Sequence, residues 1–208
     1  RIDWMHDGLP NEHAHVVDGR WEQNGRYVST REVGYDRLIA IGDVRWRDYE
    51  VLVPVVVHAM EARAYSWPSV HTGVGIVMRW KGHSNWGGDE HASGQPRFGP
   101  GPYGAIGWWT TWADDGEHLN FFDVDLAVMD RSPRRLLLNV PYLLRVRVST
   151  RDDGRSVYRL RAWEESRPEP GDWDVTSIGP INALDSGSFL LGAHETAASF
   201  GPVEITPA

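Results

Sequence analysis

The chain has 208 residues, of which 41% are hydrophobic, and a formal net charge of −8. That length supports one well-packed core, and the acidic balance argues against nucleic acid or an anionic membrane as partner, since phosphate binding needs a basic footprint. The absence of cysteine excludes disulfides and thiolate metal sites, and no apolar run approaches the roughly 20 residues of a membrane helix.

The sequence begins abruptly at Arg1-Ile2-Asp3-Trp4 with no signal-peptide pattern, as a mature protein or a domain of a longer chain would. A first strand is expected over Trp21–Val28. Trp46 to His58 alternates, with Tyr49, Val51, Val53, Val55 and Val57 on one face and Glu50, Leu52, Val56 and His58 on the other. Pro54 inside it predicts an edge or a bulge. Val74 to Trp80 places Val74, Ile76, Met78 and Trp80 on one face. Residues 82–102 form a long loop rich in Gly, Pro, His and Trp, a length that usually carries function.

Further strands are expected at Ala105–Thr111 and Phe121–Val128. The plainest element is a hairpin: Tyr142–Thr150 and Val157–Trp163 flank an Asp153-Gly154 turn. One face of it carries Arg145, Arg147, Arg159 and Arg161, like charges that repel unless carboxylates pair them, and pairing with local acids is the favoured reading. Gly187–His194 and Val203–Thr206 complete the set. No amphipathic helix of ten or more residues is visible. Many short strands between Gly and Pro breakers specify an all-β, two-sheet antiparallel sandwich, with residues 1–208 as a single domain.

Three segments carry a family resemblance. They are Gly42-Asp43 with Trp46-Arg47-Asp48-Tyr49-Glu50-Val51, the hairpin from Tyr142 to Trp163 followed by Trp173, and the ending Gly187 to Gly192 with Phe200-Gly201-Pro202-Val203-Glu204-Ile205. Together they resemble the laminin-G-like, concanavalin-A-like lectin and glucanase jelly-roll superfamily of bacterial proteins, over most of the chain. The resemblance implies a jelly roll that meets an oligo- or polysaccharide in an extracellular or periplasmic setting. The fold alone does not decide between binding and cleavage. The Glu-x-Asp-x-x-Glu strand of the glucanase branch is missing, since Asp123-Val124-Asp125 lacks the glutamates, and so are the strand motifs of the alginate-lyase branch.

The resemblance gives eleven tryptophans a use. Sugar rings stack their C–H faces on indole, and Trp80, Trp86, Trp108, Trp109 and Trp112, with His83, are the candidate ligand contacts. Trp108 and Trp109 are neighbours in a strand, so one should be core and the other exposed. If the protein is instead a hydrolase or lyase, Glu50, His58 and Arg79 are the candidate catalytic groups, and they should converge on one point. His83, Asp89, Glu90 and His91 form a weak N/O ligand group for a transition metal. The superfamily often ties its terminal strands with structural calcium, for which Asp18, Asp43 and Glu195 are the candidate ligands. No organic cofactor motif is present. A jelly roll serving only as a protein interaction module is the third alternative.

Overall fold

The period-two alternation becomes a two-sheet sandwich in the computed structural model, which describes residues 1–61, 71–82, 102–112, 116–125, 127–181 and 183–208, and of His71 and Trp112 the backbone only. One sheet runs in the order β1 (Ala14–Asp18), β4 (Arg37–Ile41), β13 (Ser188–His194), β6 (His71–Trp80), β7 (Ala105–Trp112), β8 (Gly116–Phe122) and β9 (Val128–Pro133). The other runs β12 (Val175–Ile178), β11 (Ser156–Glu164), β10 (Pro141–Thr150), β5 (Tyr49–Met60), β14 (Thr196–Phe200), β3 (Tyr27–Thr30) and β2 (Trp21–Asn24), with β15 (Glu204–Pro207) also paired to β5. The described helix is a single turn, α1 (Trp4–Asp7). The all-β, antiparallel sandwich expected from the pattern is the observed architecture.

The inward faces supply the core. Val51, Val53 and Val57 of β5 and Leu144, Val146 and Val148 of β10 pack toward Ile39, Ile76, Phe121, Phe189 and Leu191 of the opposite sheet. Each such side chain contributes about 1.5–3 kcal/mol on burial. The hairpin is in the expected register, from Thr150 opposite Ser156 to Tyr142 opposite Glu164.

Two boundaries differ from the sequence reading. Trp21–Val28 is not one strand but the hairpin β2–β3, folded at Asn24-Gly25, where Gly25 takes φ 60°; the Asn-Gly pair is the turn signal for it. The stretch Phe121–Val128 is also broken. Asp123 Oδ1 accepts the N–H of Asp125 at 2.9 Å and of Ala127 at 3.0 Å, a side-chain-locked turn that ends β8 and starts β9.

Pro54 lies in a central strand rather than at an edge. β5 is flanked by β10 on one side, and on the other by β14 as far as Val55 and by β15 from Leu52. Pro54 falls in the gap where the neighbour changes, so its missing N–H interrupts no ladder. Its carbonyl accepts the Gly201 N–H at 2.8 Å, and a side chain at Gly201 would meet the Pro54 ring at 2.9 Å.

Arg79 interrupts the alternation of β6. It has φ 55°, and the pairing with β13 shifts register beside it, from Met78 opposite Phe189 to Trp80 opposite Ser188. This is a one-residue bulge, which turns the following side chain to the other face. Met78 therefore faces the core while Trp80 packs with the second cluster described below, against the expectation that the two share a face.

Gly75 shows how tightly β6 and β7 approach. A Cβ there would sit 2.1 Å from the Gly107 carbonyl oxygen and 2.9 Å from Trp108 Cα. Because backbone must move to admit it, Gly75→Ala is expected to destabilise the protein by about 3 kcal/mol, the upper end of overpacking costs. A urea unfolding midpoint measures it, and an unchanged midpoint would contradict the packing described.

Candidate functional site

The outer face of the seven-stranded sheet, turned away from the core, carries a second apolar layer. Leu38, Ala40, Val77, Tyr103, Ile106, Trp108, Phe122 and Leu190 form it, with Trp80 packed alongside. β6 contributes little bulk here because Gly73 and Gly75 occupy outward positions, and Gly192 of β13 pairs with Gly75. The Trp108 indole fills the lane they leave. Its Cε3 lies 3.3 Å from where a Gly73 Cβ would be, and its Cη2 lies 3.5 Å from that of Gly192.

Polar groups border this indole. Register places Asn120 opposite Trp108, and His118 opposite Thr110. Thr110, His118 and Asn120 are all buried, Asn120 being only 1% exposed and His118 7%. Asn120 Nδ2 donates to Thr110 Oγ1 at 2.7 Å. Asn120 Oδ1 and His118 Nδ1 have no hydrogen-bond partner among the described residues. A buried polar atom left unanswered costs about 1–3 kcal/mol, which makes the pair a place where an added hydroxyl or water would be held. On β13, His194 Nδ1 lies 2.9 Å from Asp36 Oδ1, with the Tyr35 ring edge-on to the imidazole at 4.8 Å between centroids. The sequence reading did not include Thr110, His118 or Asn120. Their signal was polar residues at alternate positions of an otherwise apolar strand.

The expected ligand contacts are distributed differently from the sequence reading. Trp108 and Trp109 do face opposite sides, but neither is exposed: Trp109 is 2% and Trp108 5% accessible. Trp109 lies in the sandwich core, its indole N–H donating to the Arg134 carbonyl at 3.0 Å and its ring edge-on to Tyr142. Trp80 is half-buried at the margin of the outer layer. Trp112 closes β7 opposite Gly116. His83, Trp86, Asp89, Glu90 and His91 lie outside the described residues.

Glu50, His58 and Arg79 do not converge. Glu50 and His58 are eight residues apart on the outer face of β5, about 26 Å along a strand. Glu50 is clasped by Arg145 and by Arg147, the latter at 2.7 Å. Burial pushes its carboxyl up, but the hydrogen bonds from Arg147 and Arg145 outweigh this and hold it below the usual carboxylate value. Arg79 is fully buried and reaches from one sheet to the other. Its guanidinium donates to Ser156 Oγ, to Thr150 Oγ1 at 2.8 Å, to Asp48 Oδ1 at 3.1 Å and to the Leu184 carbonyl at 2.9 Å. With every face occupied, it has a structural role and no free donor directed at a cleft.

Arg145, Arg147 and Arg161 of the hairpin's arginine face are paired with carboxylates as favoured, while Arg159 makes no ion pair among the described residues. Arg145 and Arg147 share Glu50, Arg145 and Arg161 share Glu169, and Trp173 lies beneath Arg161 at 4.4 Å.

The expected calcium ligands do not fit one ion. Asp18 pairs beside Leu38 at one end of β4, whereas Asp43 follows Ile41 at the other, and Glu195 sits near Gly34. Asp43 is held at about 2 by hydrogen bonds from Arg45. Burial pushes Asp18 up, and the Asp36 carboxylate adds to this, against the opposing Gly19 N–H and Arg37. No group of three or more His, Asp or Glu side chains is placed to hold a metal among the described residues.

No family model and no curated protein matches the chain. Solved structures do. The chain is similar to the VIP36 exoplasmic/lumenal domain in its Ca²⁺/Man-bound form, with a TM-score of 0.61 and 12% identity over 100% of this chain and 89% of that one. It is similar to the Ca²⁺/Man3GlcNAc-bound form of the same domain, with a TM-score of 0.56 and 12% identity over 94% and 85%. It is also similar to the Emp47p carbohydrate recognition domain, with a TM-score of 0.55 and 10% identity over 100% and 94%. At these identities the likeness establishes a shared fold.

Proposed function

We propose that this protein is a lectin-like carbohydrate-binding module that does not cleave its glycan, and whose ligand meets the outer face of the seven-stranded sheet. The observation that carries the reading is the pair of buried polar atoms bordering Trp108, Asn120 Oδ1 and His118 Nδ1, that no described residue answers. An acceptor and a ring nitrogen beside an aromatic plane suit a sugar, which offers hydroxyls and a C–H face together. The whole-chain likeness to carbohydrate recognition domains supports the same reading, as does the lack of convergence among Glu50, His58 and Arg79. The laminin-G-like bacterial branch, an extracellular or periplasmic location and a structural calcium using Asp18 or Glu195 belong to this proposal. Trp80, packed beside the outer layer, is its outlying ligand contact.

A glycan panel read by tryptophan fluorescence, with calcium and with chelator, tests it. Binding to at least one glycan is expected, without reducing-end or unsaturated product. Asn120→Ala and His118→Ala should each weaken it about tenfold, the equivalent of one hydrogen bond of about 1.4 kcal/mol. Product formation, or binding untouched by both substitutions, would overturn this assignment of the face.

A further inference from the structure

The outer face of the eight-stranded sheet carries a second constellation, remote from the first. His58 Nε2 lies 2.7 Å from Ser199 Oγ, and His58 Nδ1 lies 3.0 Å from Asn139 Oδ1. Ser29 Oγ lies 2.7 Å from Ser199 Oγ, across the β3–β14 ladder where the two serines are directly paired. Residues 81 and 141 positions apart in sequence from His58 thus meet on one imidazole.

The donor directions follow from the chemistry of the groups. A side-chain amide oxygen can only accept, so His58 Nδ1 must carry the proton and donate to Asn139. Nε2 is then a bare lone pair, and Ser199 must donate to it. Ser29 in turn can donate to Ser199 Oγ. The result is a serine hydroxyl aimed at an imidazole base whose tautomer is fixed from behind by a third group, the arrangement that activates a nucleophile. Asn139 is itself held: it has φ 60°, and its N–H donates to the Val57 carbonyl at 2.8 Å. His58 is exposed, while Ser199 is 7% exposed.

We propose that Ser199, with His58 as general base and Asn139 as positioning residue, is a site of acyl transfer from small O-acyl esters such as acetates. Ser199 Oγ attacks the carbonyl carbon as its proton passes to His58 Nε2. The bond from that carbon to the alcohol oxygen breaks, and the departing alkoxide takes the proton from His58. Water repeats the relay on acetyl-Ser199, releasing acetate and restoring the hydroxyl. Ser29 O–H is the described donor within reach of the carbonyl oxygen as charge develops on it. A single donor gives weak stabilisation of both steps, but p-nitrophenolate is a far better leaving group than the serine alkoxide, so with an activated acetate the acyl form should accumulate.

The test is p-nitrophenyl acetate with the whole chain. The expected result is a burst approaching one p-nitrophenolate per chain, with the acetyl group mapped to Ser199 by peptide mass spectrometry. Labelling of the same serine by a fluorophosphonate needs no variant. Ser199→Ala should abolish the burst, and His58→Gln should slow it at least 100-fold, the lower range of general-base effects. Asn139→Ala should slow it while Asn139→Asp restores it, with thermal midpoints confirming folded variants. Acetylation confined to Lys81 or the terminal amine, an equal burst in His58→Gln, or failure of the fluorophosphonate to label Ser199 would each overturn the proposal.

Discussion

Replacing Arg79 with methionine should destabilise the protein by about 3–5 kcal/mol, the range for removing one partner of a buried charged network. Methionine keeps much of the apolar stem and loses the fork. The loss leaves Thr150, Ser156, the Leu184 carbonyl and the Asp48 carboxylate without the donor that now serves them. It also releases a tie between the sheets, because Arg79 belongs to β6 while Thr150 and Ser156 belong to β10 and β11. The Arg79 N–H donates to the Tyr49 hydroxyl, which itself donates to the Ser188 carbonyl. That contact is backbone and survives the substitution, so the bulge should persist while the clamp is lost. Arg79→Lys should recover only part of the loss, since an ammonium cannot reproduce a planar fork with several fixed directions. Urea unfolding measures both. A cost under 1 kcal/mol for Arg79→Met would mean that the guanidinium contributes little beyond its packing.

Glu50→Gln should have the second largest effect, about 3 kcal/mol. The carboxylate separates Arg145 from Arg147, and a neutral amide would leave two guanidinium groups on one strand face sharing half the compensation. The same carboxylate makes stability depend on pH. Its pKa is lower folded than unfolded, so the unfolded chain binds the proton more readily. The contribution is complete above the ordinary value of 4.5 and disappears as pH falls through the lower folded value. Thermal midpoints between pH 7 and pH 3 should therefore fall less steeply in Glu50→Gln than in the parent. Parallel curves would show that Glu50 is not the linked group.

The sequence carried the architecture because period-two alternation is local. β5, β6, β10 and β11 could be read from their own residues, and the Asp153-Gly154 turn fixed one register outright. The bulge was not readable: nothing in Val-Met-Arg-Trp announces that Arg79 takes φ 55° and reverses the face of Trp80. Leu38 to Ile41, Phe121-Phe122 and Phe189-Leu190-Leu191 did hold a readable signal, consecutive apolar residues that mark strands covered on both sides. Weighed properly, they foretold that Trp108 would be buried in an outer layer rather than exposed. The partners of Arg79 and of His58 come from distant segments that only the folded topology assembles, so no spacing rule could have found them.

The switch of neighbours along β5 has a consequence in time. Val51 to Val57 is an early segment, yet the partners of its strand begin at Pro141 and end at Pro207. β4 and β6 likewise share β13, which starts at Ser188. As the chain leaves the ribosome, β4, β5 and β6 can each pair on one edge with β1, β10 and β7, but the other edge of each must wait for β13, β14 or β15. Such non-local closure is slow, and it leaves apolar strand edges uncovered in the interval. The newborn chain is therefore most exposed to misassociation until Ser188 to Pro207 have emerged, and assistance with folding would matter most at that stage.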